Sequence, residues 1–410
     1  MPSTEQLISI RSLTGEAKSK ANREVDQYAE HRYKHKYQTR IRMNRINALA
    51  NCNFGNSLTF EVPSHGQICG EMALSLNLPA LADGATYKPY AAMRIIDKIV
   101  YRAGGTQFYE IRPAEVVPLL INRARDKDHK DRLKAIWGNA AAANAQEILI
   151  PLLTPWSVWN NASMMETLDF GVRGQCIWDG SRLAKNLVVE VQFASKAQAT
   201  SSASSAFTTA SSLGSAQLFW EELVGNKATI DAIRARIPTT FYGEEYTRLK
   251  NVSINGDGTA LTPVNVSALT ARAGTKGFYF ICRTQTEAAT DDPWVGDERL
   301  REIRVELDGR EVASNEGEPA SVQEYQELLA GRKTLPAPNF AAFTFGNDQS
   351  AAFHAQTYSG LLKNQAVNEC LLRLGSVIRH PAAPMECDVI AVHPRQYTFS
   401  SGTVRASNCY

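Results

Sequence analysis

The stretch YAAMRIIDKIVYRAGGTQFYEIRPAEVVPLL, Tyr90 to Leu120, decides the reading of this chain. Its apolar run Met93 to Val100 reads as a strand. The strand reaches a Gly104-Gly105 turn, Thr106 to Ile111 returns as a second strand, and a helix opens after Pro113. The same order recurs in ERLREIRVELDGREVASNEGEPASVQEYQELL, Glu298 to Leu329. There Ile303, Val305 and Leu307 alternate with Glu302, Arg304 and Glu306, the period of a strand with one buried face. Asp308-Gly309 supplies the positive-φ residues of a tight hairpin, Arg310 to Ser314 returns, and a helix opens near Pro319. The copies lie roughly two hundred residues apart, about the size of one β-sandwich domain. Two domains of one kind are expected.

Outward from these copies, short strands dominate. Leu58 to Val62 is one, and Met72, Leu74, Leu76 and Leu78 alternate with Ala73, Ser75 and Asn77 to make another. Glu147 to Leu153 and Leu187 to Phe193 follow, with Leu218 to Leu223 closing the first half. The segment from Pro113 to Gly138 and the run Asn160 to Phe170 read as helical insertions. Within the first half, before that closing strand, Ala194 to Ala216 is mostly Ser, Ala and Thr, which cannot bury a core and predicts a long exposed loop. The second half offers strands at Arg248 to Ile254, Val264 to Ala268, Phe278 to Arg283, the echo pair, Phe340 to Phe345, Glu369 to Leu374, Cys387 to Val392 and between Tyr397 and Ala406, with a helix at Ala351 to Leu362. About eight strands per half, with few strand–helix–strand alternations, predict an all-β chain of two consecutive eight-stranded antiparallel jelly rolls with short helical insertions. The expected division is a basic arm over 1–50, a first jelly roll over 51–222 and a second over 223–410.

The chain has 410 residues, 44% hydrophobic and 21% charged, which excludes wholesale disorder and allows two or three cores. Its seven cysteines are scattered and form no C-x-x-C pair, so they read as buried free thiols. Neither a secretory h-region nor a run of 18 apolar residues occurs, so a soluble protein is expected. Net charge is only +2, but the basic residues crowd the N-terminus. Glu16 to Asn47 is compatible with a helix, and from His31 to Arg45 it holds Arg32, Lys34, Lys36, Arg40, Arg42 and Arg45 without one acid. Such an arm suits an anionic partner, either nucleic acid or lipid headgroups, or else is a solvated tail.

With these elements in order, the chain resembles the double jelly-roll major capsid proteins of large nucleocytoplasmic DNA viruses and tailless membrane-containing phages. IIDKIVYRAGGTQFYEI (Ile95 to Ile111) is similar to the strand–Gly-Gly–strand element of that family's first jelly roll. EILIPLLTPW (Glu147 to Trp156) looks like its apolar strand ending in Pro and aromatics, and LVVEVQF (Leu187 to Phe193) like the strand after its helical insertion. GFYFICRT (Gly277 to Thr284) and LREIRVELDGREV (Leu300 to Val312) match the corresponding pair in the second jelly roll. The resemblance implies a capsid subunit made in the host cytoplasm and built into the virion. It also implies a homotrimer forming a pseudo-hexagonal capsomer of an icosahedral shell. Neighbouring capsomers and minor capsid proteins would be partners, and the N-terminal arm would face an internal membrane or packaged nucleic acid.

No constellation argues for chemistry instead. His31 and His35 have helical metal-ligand spacing but sit among Arg32, Lys34 and Lys36. His380, Cys387 and His393 match no closed zinc site, and the acidic group Asp291, Asp292, Asp297 and Glu298 reads as an exposed loop. There is no G-x-S-x-G and no P-loop. No catalytic, cofactor or metal residue is therefore assigned. Two other readings remain at this point: a two-domain β-sandwich carbohydrate-binding or attachment protein, and a jelly-roll glycan-processing enzyme.

Overall fold

The structure is a computed structural model, and it describes residues 40–48, 52–64, 66–81, 87–88, 90–122, 146–156, 177–200, 213–235, 237–254, 264–269, 274–284, 299–307, 310–315, 340–344, 370–377 and 385–408, with single positions between 128 and 137. Its first nine strands are β1 (Arg40–Asn47), β2 (Ser57–Val62), β3 (Ile68–Leu78), β4 (Ile96–Ala103), β5 (Thr106–Ile111), β6 (Gln146–Pro151), β7 (Trp178–Asp179), β8 (Leu187–Phe193) and β9 (Ala216–Val224). Setting aside the two-residue β7, which pairs with β3, these are eight strands in two sheets, ordered β1-β9-β3-β6 and β2-β8-β4-β5. The second set is β10 (Thr240–Ile254), β11 (Val264–Leu269), β12 (Gly277–Thr284), β13 (Arg299–Leu307), β14 (Arg310–Asn315), β15 (Phe340–Thr344), β16 (Cys370–Val377) and β17 (Met385–Ser400), followed by β18 (Thr403–Asn408). Its sheets run β10-β17-β12-β15 and β11-β16-β13-β14, with β18 added to β17.

Counting strands within each set, both sandwiches have one sheet in the order first-eighth-third-sixth and another in the order second-seventh-fourth-fifth. That shared order is the jelly roll, and it appears twice. The two copied stretches are the fourth and fifth strands of their respective sandwiches. Ala103 pairs with Thr106 across Gly104 (φ 60) and Gly105 (φ 84), the left-handed conformations of a two-residue hairpin. Leu307 pairs with Arg310 at the matching place, and Asp308-Gly309 lies outside the described residues.

Alternation in the sequence becomes alternation in burial. Leu187, Val189, Val191 and Phe193 of β8 are buried, as are Leu58, Phe60 and Val62 of the neighbouring β2. Each such side chain contributes on the order of 1.5–3 kcal/mol by leaving water. Leu74, Leu76 and Leu78 of β3 and Leu218 of β9 are likewise buried.

Four expectations are corrected. The helix-compatible reading of Glu16 to Asn47 fails over Arg40–Asn47, which is β1, the first strand of the first sandwich, hydrogen-bonded beside β9. Ile41 and Met43 alternate with arginines at strand period, and pairing overrides a weak helix preference. Met93 to Ile95 belong to a short helix, α1 (Ala91–Ile95), entered through Tyr90 at φ 60. That segment is buried except at Arg94, so periodicity carries no signal there. The Ser/Ala-rich run is not exposed at its ends: Ser195 and Gln198 form a capping box for α3 (Lys196–Ala199), and Ala199, Thr200 and Leu213 are buried. Residues 201–212 lie outside the described set. Finally, β17 runs unbroken through Pro394 where two strands were expected. Its ladder with β12 ends at Val392 and its ladder with β18 begins at Arg395, so the missing N–H falls at the changeover.

The helix after Pro113 is α2 (Pro113–Asn122). The proposed helices at Asn160 to Phe170, Ser321 to Ala330 and Ala351 to Leu362 lie outside the described residues. Contacts divide the chain into two units, Met1–Arg42 with Leu223–Arg236, and Met43–Glu222 with Ile237–Tyr410. In the first, a helix the sequence reading passed over, α4 (Lys227–Arg234), is capped by Asn226, whose side chain accepts from the Thr229 N–H at 2.9 Å. No described helix is long and apolar enough to cross a membrane.

Candidate functional site

The most heavily built feature of the second unit is the seam joining its two sandwiches. Residues just beyond β6 bring Trp156, β7 brings Trp178, and β5 brings Phe108 and Tyr109; β10 and β17 answer with Phe241, Tyr397 and Phe399. Trp156 stands at the centre. Its ring lies 5.7 Å from Phe108 in a stack, 5.5 Å from Phe241 and 5.3 Å from Phe399. Trp178 stacks on Phe399 at 6.1 Å, and Tyr109 meets Tyr397 edge-on at 5.7 Å. Aromatic pairs in these arrangements add about 0.5–1.5 kcal/mol each beyond the area they bury.

Hydrogen bonds fix the register of the seam. The Tyr109 hydroxyl donates to the Glu244 carbonyl at 3.3 Å, and Thr403 Oγ1 donates to the Ala103 carbonyl at 2.9 Å. The Ala184 N–H donates to the Gly402 carbonyl at 2.8 Å. Arg182 reaches the carbonyls of Ile237 and Pro238 at 2.8 and 2.6 Å, its guanidinium also 3.7 Å from the buried Asp179 carboxylate. The Tyr279 hydroxyl donates to the Glu115 carbonyl of α2. Where β10 passes the first sandwich, Gly243 is so close that a Cβ would stand 2.5 Å from the Pro155 carbonyl oxygen.

Charge is managed within this seam. Lys276, only 3% exposed, donates to Glu244 at 2.8 Å, and the Tyr246 hydroxyl donates to the other oxygen of that carboxylate at 2.8 Å. Glu115 is buried, and burial pushes its carboxyl up to about 7; Arg112 and Arg248 pull it down while Asp388 and Asp97 push it up.

The residues singled out in the sequence fall elsewhere. Arg32, Lys34 and Lys36, with His31 and His35, lie outside the described residues. Arg40, Arg42 and Arg45 lie on β1, where Arg42 and Arg45 are exposed. Cys387 and His393 are buried on β17, six residues and so about 20 Å apart along the strand, too far to share an ion. Among the described residues no group of three or more His, Cys, Asp or Glu could hold a metal. Burial pushes the Cys52 thiol up to about 12 and raises that of Cys69 further, which suits inert core thiols. Phe108, Tyr109 and Trp156 lie in stretches the sequence reading singled out, but the meeting of the seam aromatics went unread because they are scattered over 292 positions, from Phe108 to Phe399, and share no local pattern.

No protein-family profile matches this sequence. No curated protein matches it either. Solved structures do. PBCV-1 VP54, whose crystal structure was fitted into a reconstruction of the virophage Sputnik, superposes with a TM-score of 0.66 at 13% identity, over 92% of this chain and 98% of that one. The Faustovirus major capsid protein gives 0.57 at 11% identity over 90% and 92%, and the mavirus major capsid protein 0.56 at 12% identity over 89% and 90%. The fold is that of double jelly-roll capsid proteins. In double jelly-roll terms the seam is the joint that turns two sandwiches into one block, and coverage of about nine-tenths on both sides means that both sandwiches take part in the likeness.

Proposed function

We propose that this chain is a structural capsid subunit, without catalytic chemistry of its own, that assembles as a homotrimer into pseudo-hexagonal capsomers of an icosahedral shell. The observation that carries this reading is the polarity of the joint. The first sandwich presents its fourth–fifth strand hairpin, β4–β5, and the second receives it on β10, β17 and β18, the sheet of its first and eighth strands. The two sandwiches share one topology, so the corresponding surfaces are β13–β14 on the second and β1–β9 on the first. Such a contact is head-to-tail. Repeated between copies with a rotation that closes, it makes a ring rather than an open filament, and in the proposed ring three chains supply six sandwiches. On β1, Met43 is 56% exposed, an apolar side chain suited to burial by the next copy.

The shell places the mature protein in the virion after synthesis in the host cytoplasm, with neighbouring capsomers and minor capsid proteins as further partners. Arg32, Lys34, Lys36, Arg40, Arg42 and Arg45 then offer positive charge to an anionic partner, membrane headgroups or nucleic acid, with the salt dependence of counterion release. Sedimentation of the purified chain tests the trimer. A species of three times the 45.2 kDa chain mass is expected, and Met43→Glu should raise its dissociation constant at least tenfold. A wild-type chain that stays monomeric at micromolar concentration overturns the reading.

A further inference from the structure

The polar side of the seam centres on the first turn of α2. Pro113 opens this helix, the Glu115 N–H donates to the Arg112 carbonyl at 2.9 Å, and the Glu115 carbonyl accepts from the Tyr279 hydroxyl of β12. One residue thus belongs to the first sandwich by sequence and is held by the second through its backbone. Its side chain is buried as well, the residue being 6% exposed.

The charged groups around it come from both sandwiches. On its own side Arg112 pairs with Asp97 of β4 at 3.0 Å and stands 3.9 Å from Glu110 of β5. On the other side Arg248 of β10 lies 3.7 Å from Asp388 of β17, which is itself buried. The remaining charged groups on the elements packed against α2 are Arg94 of α1, Lys98 and Arg102 of β4, Glu244, Glu245 and Lys250 of β10 and Arg283 of β12. Lys98 stands 3.9 Å from Glu110, Arg102 3.3 Å from Glu190, and Glu244 and Glu245 hold Lys276 and Arg395 at 2.8 and 2.5 Å. Arg112 and Arg248 therefore each already have an acid of their own. A negative Glu115 would be a third carboxylate beside Asp97 and Asp388 in a region with little water, whereas a neutral Glu115 leaves both ion pairs balanced.

We propose that Glu115 is a proton-operated latch between the two sandwiches. With the carboxyl protonated, the seam at α2 closes on a neutral group and the Tyr279 bond holds. With it ionised, the buried charge draws water into the seam and loosens α2 from β10 and β12. A joint of this kind is tight in acid solution and loosens as pH rises through neutrality, so a shell built from such subunits would sense proton concentration through the inside of each subunit. The inference concerns the single chain and stands whether or not the chain trimerises.

Hydrogen exchange of the full-length protein, read by mass spectrometry on peptides covering Pro113–Asn122 and Gly277–Thr284 and corrected for intrinsic rates, tests it. Between pH 6 and pH 8.5 the wild type should lose protection in both peptides by at least tenfold, while Glu115→Gln, which keeps the group neutral, should stay protected at both values. Should that variant fold poorly, Arg248→Gln changes an exposed side chain instead. Removing its positive charge should move the wild-type loss of protection to higher pH. Equal protection of the wild type at both pH values, or Glu115→Gln following the wild-type profile, or an unmoved midpoint in Arg248→Gln, overturns the latch.

Discussion

At the scale of single residues, the seam concentrates its stability in a few side chains. Trp156 touches Phe108, Trp178, Phe241 and Phe399, so Trp156→Ala leaves a cavity between the sandwiches, with an expected cost of about 3–5 kcal/mol in chemical denaturation. Gly243→Ala is a sharper probe. It adds one methyl group against the Pro155 carbonyl and should destabilise by about 1–3 kcal/mol although alanine suits a strand better than glycine. Glu115 gives a pH dependence whose sign follows from its raised pKa. Below about 4.5 the carboxyl is protonated both folded and unfolded. From there to about 7 the unfolded chain releases its proton first, so stability falls as pH rises, and above about 7 the full penalty remains. Its ceiling is roughly 3 kcal/mol. Urea titrations of wild type and Glu115→Gln should therefore agree near pH 4.5 and diverge by pH 8, the variant being the more stable. None of these residues announced its role in the sequence. Glu115 sits in an ordinary first helical turn, and its environment is assembled from Asp97, Arg248 and Asp388, which are far apart along the chain.

Among the elements, strands with one wet and one dry face were legible. Leu187 to Phe193 was read to the residue because its inward positions are all aliphatic or aromatic and its outward ones are mixed. The hairpin at Gly104-Gly105 was legible for a different reason, since two consecutive left-handed residues are costly for anything but glycine. Illegible elements were those whose state depends on a distant partner: β1 needs β9, and the unbroken β17 needs β10, which pairs with it from Met385 to Thr398. β1 also revises where the N-terminal arm ends. Removing residues 1–39 should leave thermal melting within a degree or two of wild type, whereas removing 1–47 strips the outer strand from β9 and should lower the midpoint by several degrees. Scanning calorimetry of the two truncations separates an arm ending before Arg40 from one ending near residue 50.

For the whole molecule, the internal repeat is the argument that reached furthest. Two copied stretches roughly two hundred residues apart predicted two sandwiches of one kind, and the structure returns the same strand order in both, with the copies at the same hairpin. How the sandwiches dock was not legible, because a seam of scattered aromatics has no periodicity to detect. That docking also carries the functional proposal, which takes the head-to-tail joint within the chain as the pattern for the joint between chains. Electron microscopy of the purified protein tests it most directly. Class averages viewed down the particle axis should show three copies around a threefold axis, with six similar lobes in a pseudo-hexagonal outline. Isolated two-lobed particles at micromolar concentration, or a twofold dimer joined through like surfaces, would contradict the account.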